Sequence, residues 1–187
     1  MTIQQKIKMT VEQFLVWAEA QPSGRYELVD GVPVRMASER ARHNIVKYRV
    51  CRSLEQAVER AGLSCEVFTD GMTVVIDPHR SREPDAAVQC GVTQDLDSMV
   101  LAAPTIVVEV TSPSNERDDT VAKLVEYFTV PSVQHYLIVM PDKRVVVHHA
   151  RQTHGIHTQI VSRGEITLDP PGISMPLAGL WPDEPSA

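Results

Sequence analysis

Long apolar runs are missing from this chain. No stretch approaches the roughly 20 consecutive apolar residues that a membrane-spanning helix needs. The opening MTIQQKIKMT has no apolar core of the signal-peptide kind, so a cytoplasmic protein that does not engage a membrane is the expectation. Cysteine is also scarce. Cys51, Cys65 and Cys90 are odd in number and widely spaced, which suits neither a disulfide framework nor a zinc pattern. They read as small buried hydrophobes in a reducing compartment. Glycine is thinly spread, with 9 in 187 residues. No glycine-rich phosphate loop occurs, which argues against a nucleotide cofactor. Positive charge is the last shortage: 18 Lys and Arg face 24 Asp and Glu, for a net charge of −6. A tight, nonspecific nucleic-acid binder would carry a broad basic surface. A local basic stripe can still hold a phosphate backbone, and surplus carboxylate is what a divalent-metal site requires.

What is present is an ordinary globular composition, 43% hydrophobic and 22% charged. The length suits one domain over 1–187, with a core from about 11 to 180 and a loose tail at 182–187. Thr10 and Gln13 form a capping-box pattern ahead of a short helix from Val11 to Ala20. Tyr26 and Leu28, the turn Asp30-Gly31, then Val32 and Val34 predict a hairpin. Val46, Val50, Leu54, Ala57, Val58 and Ala61 recur at period 3.6, predicting a helix over 43–61 that Gly62 ends. Arg40, Arg42, Lys47, Arg49 and Arg52 form a basic face on or near it, read as solvated or as tracking phosphates. Strands at 65–68 and 72–76 flank Asp70-Gly71, a second hairpin signal. Further strands are expected at 86–88, 105–110, 133–139 and 144–149, with a final pair at 156–161 and 165–168. A helix at 119–128 should turn Val121, Leu124, Val125 and Phe128 inward. This order of helices and strands predicts an α/β or α+β fold with a mixed sheet.

Glu109 is the most anomalous residue. It is the one charge in the β-branched run TIVVEV, where burial is expected and an unpaired carboxylate costs several kcal/mol, on the order of 2–7 even for a neutral polar group. Asp85 has a similar setting, after Pro84 and before Ala86-Ala87-Val88. On neighbouring strands the two carboxylates could share a magnesium ion. Lys123 shares a helix face with Asp119; it is either a surface ion-pair partner or an ammonium reaching back over the strand ends. His148, His149, His154 and His157 look like a metal cluster, but adjacent residues on a strand face opposite sides, and a polar edge hairpin accounts for them. Ser112 and Ser114 lack the glycine elbow of a nucleophile and read as turn residues.

Pro84-Asp85, then Glu109-Val110-Thr111-Ser112-Pro113-Ser114, then Asp119, Lys123 and Tyr127, preceded by Arg25-Tyr26-Glu27-Leu28-Val29-Asp30-Gly31 and His43, resemble the Uma-two family. This is a bacterial family of restriction-endonuclease-like proteins in the PD-(D/E)XK nuclease superfamily, and the resemblance runs from about Val11 to Leu180. It implies a restriction-endonuclease-like core and a metal-dependent endonuclease that hydrolyses phosphodiester bonds of nucleic acid, DNA first. Asp85 and Glu109 would bind magnesium or manganese, with the backbone carbonyl of Val110 completing the inner shell. The superfamily's usual lysine position, two residues after the second acid, is Thr111 here, so Lys123 would take that role. Glu27 and His43 would be outer ligands or substrate contacts. A homodimer is expected. The alternative is a catalytically weak nuclease fold kept for binding nucleic acid or protein.

Overall fold

In the computed structural model, residues 8–111 and 118–182 are described. A six-stranded, a four-stranded and a two-stranded sheet and three helices build the molecule among them. Helix α1 (Val11–Glu19) starts on the full Thr10–Gln13 capping box. Strands β1 (Tyr26–Val29) and β2 (Val32–Arg35) form the expected hairpin. Its turn places Asp30 at φ 49° and Gly31 at φ 78°, the pair of left-handed residues that a two-residue turn needs. A side chain at position 31 would also meet Lys8, whose Cβ lies 2.5 Å from where a Cβ would stand.

Helix α2 (Ala41–Ala61) buries the predicted apolar stripe and ends on Gly62 in the left-handed region. Strand β3 (Cys65–Thr69) follows, then β4 (Val74–Asp77), β5 (Arg80–Arg82) and β6 (Ala86–Cys90). After β7 (Pro104–Val110) come α3 (Asp118–Thr129), β8 (His135–Met140), β9 (Val145–Gln152), β10 (Gly155–Val161), β11 (Glu165–Leu168) and β12 (Ile173–Pro176). The larger sheet has the order β10-β9-β8-β7-β6-β3, and the smaller has β2-β1-β5-β4. Only β7 and β8 run parallel in the larger sheet, linked by α3. The mixed sheet with flanking helices is the fold class expected from the element order.

Alternation along the central strands separates two cores. Ala86, Val88, Ile106, Val108, Leu137 and Val139 pack beneath α2 and the β11–β12 hairpin. Ala87, Val107, Tyr136 and Ile138 pack with Tyr127 of α3 and Val74. Each fully buried aliphatic chain contributes about 1.5–3 kcal/mol, so the β7–β8 pair, apolar on both faces, anchors the sheet.

Several expectations fail. Asp70-Gly71 is not a hairpin turn: β3 pairs with β6 in the larger sheet and β4 with β5 in the smaller. The turn signal marks a crossing between sheets instead. Strand 156–161 pairs with β9, and β11 pairs with β12, so the final two predicted strands are not partners. On α3, Val121 and Val125 are 63% and 62% exposed, while Lys123, Glu126 and Tyr127 are buried. The helix turns a polar face inward because buried charges await it there. Cys65 and Cys90 are neither isolated nor thiols. They are cross-strand partners in β3–β6 and form a disulfide; only Cys51 keeps the predicted character of a buried free thiol. The tail at 183–187 and Ser112 and Ser114 lie outside the described residues.

The histidines are structural, and two are deeper than an edge hairpin suggests. His148 and His149 take opposite faces of β9, as strand geometry requires, but both are buried. Gln159 donates to His148 Nδ1 (2.8 Å), His148 Nε2 meets His135 Nδ1 (2.9 Å), and His135 Nε2 donates to the Pro170 carbonyl (2.9 Å). This chain is satisfied only with both rings neutral. Burial first, then His135, His149 and His157, pushes the His148 imidazole down to about 4. His149 pairs with Thr158 and stacks on Tyr136.

Two predictions follow from these packings. The unfolded chain binds a proton at His148 near its ordinary value of 6.5 while the folded chain resists until about 4, so this residue's contribution is present above that window and is lost as pH falls through it. Urea midpoints should drop between those limits by the equivalent of about 1–3 kcal/mol, and drop less in His148→Gln; equal slopes would contradict the neutral chain. Thiol titration of the unfolded, unreduced protein should detect Cys51 alone, and all three cysteines after reduction; three thiols before reduction would contradict the pairing.

Candidate active site

The chain brings its acids together at one end of the larger sheet. Asp85 precedes β6 and donates its backbone N–H to the Val108 carbonyl of β7 (2.9 Å). Its Oδ2 accepts from the Val110 N–H (2.6 Å). Glu109 lies between these two β7 residues and points to the opposite face from Val108 and Val110, toward α3. There its Oε1 accepts from Lys123 Nζ (3.1 Å) and Tyr127 Oη (2.7 Å). Oε2 has no protein donor among the described residues. The two carboxylates are thus neighbours through adjacent strands.

Lys123 does not sit on an exposed helix face. It is 7% exposed, and its ammonium also reaches Glu27 Oε1 (3.2 Å) on β1. The side chain of Asp119, its expected partner, lies outside the described set. Glu27 takes Arg82 Nη1 on its second oxygen (2.8 Å) and the Glu83 N–H on its first (3.2 Å). Arg82 Nε goes on to Glu126 of α3 (2.6 Å). Charge follows from this lattice. Burial raises the Glu27 carboxyl, but Lys123 and Arg82 prevail and hold it below its ordinary value. For Glu109, burial prevails over Lys123, and Asp85 and Glu27 add to it, so its carboxyl is pushed up. Burial and then Glu109 raise Tyr127, keeping its phenol a donor.

The α2 side holds a second set. His43 Nε2 donates to the Val110 carbonyl and lies 3.7 Å from Asp85 Oδ2. Its Nδ1 faces Glu39 at 3.4 Å. Lys47, one turn later, is 5% exposed, so it does not belong to a solvated basic face. Its ammonium contacts Asp85 Oδ1 (3.0 Å), Glu39 Oε1 (2.5 Å) and Asp70 Oδ2 (2.5 Å). The last residue pair of β3–β6 is Thr69 with Ala86, so Asp70 and Asp85 leave the same end of one strand pair and meet the same lysine. Arg25 binds Asp70 as well, and Glu83 at 2.5 Å. Beyond Arg25 and Glu39 a depression of about 830 Å³ opens, with Arg35, Met36 and Gly24 on its wall. Of the rest of the basic face, Arg49 donates to the Trp181 carbonyl (2.6 Å), whereas Arg40, Arg42 and Arg52 are exposed as a solvated face requires, with Arg42 3.9 Å from Asp142.

Contacts join Glu109, Lys123 and Glu27 in one set and Asp85, His43 and the Val110 carbonyl in a second, and the neighbouring β6 and β7 segments set the two side by side. Asp70, Arg82, Glu126 and Tyr127 join them without a role assigned from sequence, and Lys47 joins them instead of the basic face. A signal for Lys47 was available, because it stands four residues after His43 and seven before Leu54, on the buried stripe. Arg82 and Asp70 lay in short segments whose sheet partners the local pattern does not disclose.

The donors suit a hard cation. Two carboxylates and a carbonyl match magnesium, which takes one or two carboxylates and keeps several waters. Among the described residues no group of three His, Cys, Asp or Glu side chains is spaced as a ready-made cage, so water would have to fill the remaining positions.

A family model described as "Uma2: Putative restriction endonuclease" matches residues 11–178. An uncharacterized protein of Synechocystis sp. is 28% identical over 137 residues, spanning 71% of this chain and 68% of its own length. A crystal structure of a "putative nuclease belonging to DUF820" from Anabaena variabilis superposes with a TM-score of 0.72 at 14% identity, covering 92% of this chain and 97% of that one. At that identity the likeness establishes the shared fold.

The lattice itself is testable. Arg82→Met leaves Glu27 and Glu126 buried with one partner fewer, and breaking a buried pair from one side costs about 3–5 kcal/mol. Urea unfolding should register a loss of that order; a change below about 0.5 kcal/mol, as at an exposed pair, would contradict a cooperative buried network.

Proposed function

The chain belongs to the Uma2 family of restriction-endonuclease-like proteins, and from that premise we propose that it is a metal-dependent endonuclease hydrolysing phosphodiester bonds of DNA. The observation that carries the reading is that Asp85 and Glu109 stand on neighbouring chain segments at one sheet end, Asp85 accepting from the Val110 N–H and Glu109 lying 3.1 Å from Lys123. Asp85, the Oε2 side of Glu109 and the Val110 carbonyl would hold magnesium or manganese. Such an ion supplies charge neutralisation at a scissile phosphate and lowers the pKa of a bound water. The protein's own groups do the rest. Lys123 places a fixed positive charge beside the strand end, where it can hydrogen-bond a water or a phosphoryl oxygen. Glu27, itself bound by Arg82, holds that ammonium in place. His43 fixes the Val110 carbonyl, and Tyr127 orients Glu109. The arginines at the adjoining depression, Arg25 and Arg35, offer positive charge to a phosphate backbone. We take the protein to act as a homodimer.

One observation favours a second reading, a nuclease fold kept for binding with weak catalysis. Each acid already has a protein cation beside it: Lys47 at Asp85, Lys123 at Glu109.

The discriminating experiment is a cleavage panel over single-stranded, double-stranded and branched DNA, and RNA, with magnesium or manganese. Cleavage of DNA should vanish with chelator and fall at least about a hundredfold in Asp85→Ala, Glu109→Ala and Lys123→Ala, with melting curves confirming folded variants. Activity that persists in chelator or in Asp85→Ala sinks the metal reading. Retarded DNA with no cleavage of any substrate would support the binding module.

A further inference from the structure

We propose that Lys47 is a resident cation of the metal site: it occupies Asp85 when no divalent ion is bound and withdraws to Glu39 and Asp70 when one arrives. The proposal rests on the metal reading above and deepens it by naming what governs affinity for the ion.

Three observations support it. First, the Lys47 ammonium touches Asp85 on Oδ1, the oxygen that the Val110 N–H does not use. That is the Asp85 oxygen left for an ion. A buried ammonium at 3.0 Å puts a positive charge close to where a divalent ion would approach, and two cations so close in a poorly solvated pocket repel each other. Second, the lysine has somewhere else to go. Glu39 and Asp70, each at 2.5 Å, are closer to it than Asp85 is. Losing the Asp85 contact leaves it doubly paired, so withdrawal does not strand a buried charge. Third, the local balance favours an added cation. Arg25 and Lys47 are the permanent positive charges joined to Asp70, Glu83, Glu39 and Asp85, with His43 beside them. Carboxylates outnumber fixed cations there.

Lys47 and Lys123 then have separate tasks. Lys123 binds Glu109 and Glu27, on two different sheets, and stays in both states. Lys47 exchanges with the ion at Asp85. The consequence is a site that stays folded without metal but gives up affinity for it.

The test is manganese binding to the full chain, followed by loss of the free-ion electron paramagnetic resonance signal and by calorimetry. No substrate or activity is required. Lys47→Met, which keeps the stem and removes the charge, should bind manganese at least about tenfold more tightly than the parent. Lys143→Met, the same charge change at an exposed turn, should bind as the parent does. Equal or weaker binding by Lys47→Met overturns the proposal, and so does equal tightening in Lys143→Met. If neither the parent nor Lys47→Met binds manganese, the metal reading itself falls and takes this proposal with it. A manganese-soaked crystal of the parent provides a test that needs no variant. Ion density at Asp85 with the Lys47 ammonium moved beyond 4 Å from Oδ1 supports the exchange; an ion there with the 3.0 Å contact retained overturns it.

Discussion

The Lys123 ammonium, set between Glu109 and Glu27, is the contact on which the site's architecture depends. Glu109 belongs to the six-stranded sheet, Glu27 to the four-stranded one, and Lys123 to the helix that joins two parallel strands. A single buried charge therefore ties three elements that have few apolar reasons to meet at that point. Buried carboxylates left without it would take up protons or draw in water. Arg82 repeats the arrangement one layer away, between Glu27 and Glu126. The two sheets are coupled here by charge, beside the hydrocarbon coupling that Val74 makes with Ala87 and Val107.

That arrangement explains why α3 resists a pattern-based reading. Val121 and Val125 suggest an inward apolar stripe, yet they face solvent, while Lys123 and Glu126 are buried. Hydrophobic periodicity assumes that the helix covers hydrocarbon. Here one half of the facing surface is Tyr136 and Val107, and the other half is a set of acids. Tyr127 and Leu124 satisfy the first half, and the charged residues satisfy the second.

Features carried by local chemistry were legible: the Thr10–Gln13 cap, the Asp30-Gly31 turn, the stripe of α2 and the apolar strand around Glu109. Glu109 itself was conspicuous because a carboxylate in TIVVEV demands compensation. Asp85 and Lys123 drew meaning chiefly from the family resemblance. Features set by long-range pairing were not legible. Asp70-Gly71 has the composition of a hairpin turn, but nothing local says that its flanking strands belong to different sheets. Cys65 and Cys90 stand 25 residues apart, and only the β3–β6 alignment makes them partners. Lys47 was misplaced for a different reason: a cation was assumed to be solvated although its helical position lies on the buried face.

The covalent link at the far end of β3 has a bearing on Asp70. Neighbouring strands can shift past one another by a residue, and each such slip reverses which side every later side chain faces. β3 is an edge strand, held on one flank only by β6, so it is the member of the sheet most open to such a shift. The bridge at Cys65 and Cys90 locks the pairing at the strand's start. Five residues on, the same alignment delivers the Asp70 carboxylate to the level of Asp85. A bond remote from the acids thus acts as their ruler, measuring out how far along the chain the second partner of Lys47 falls.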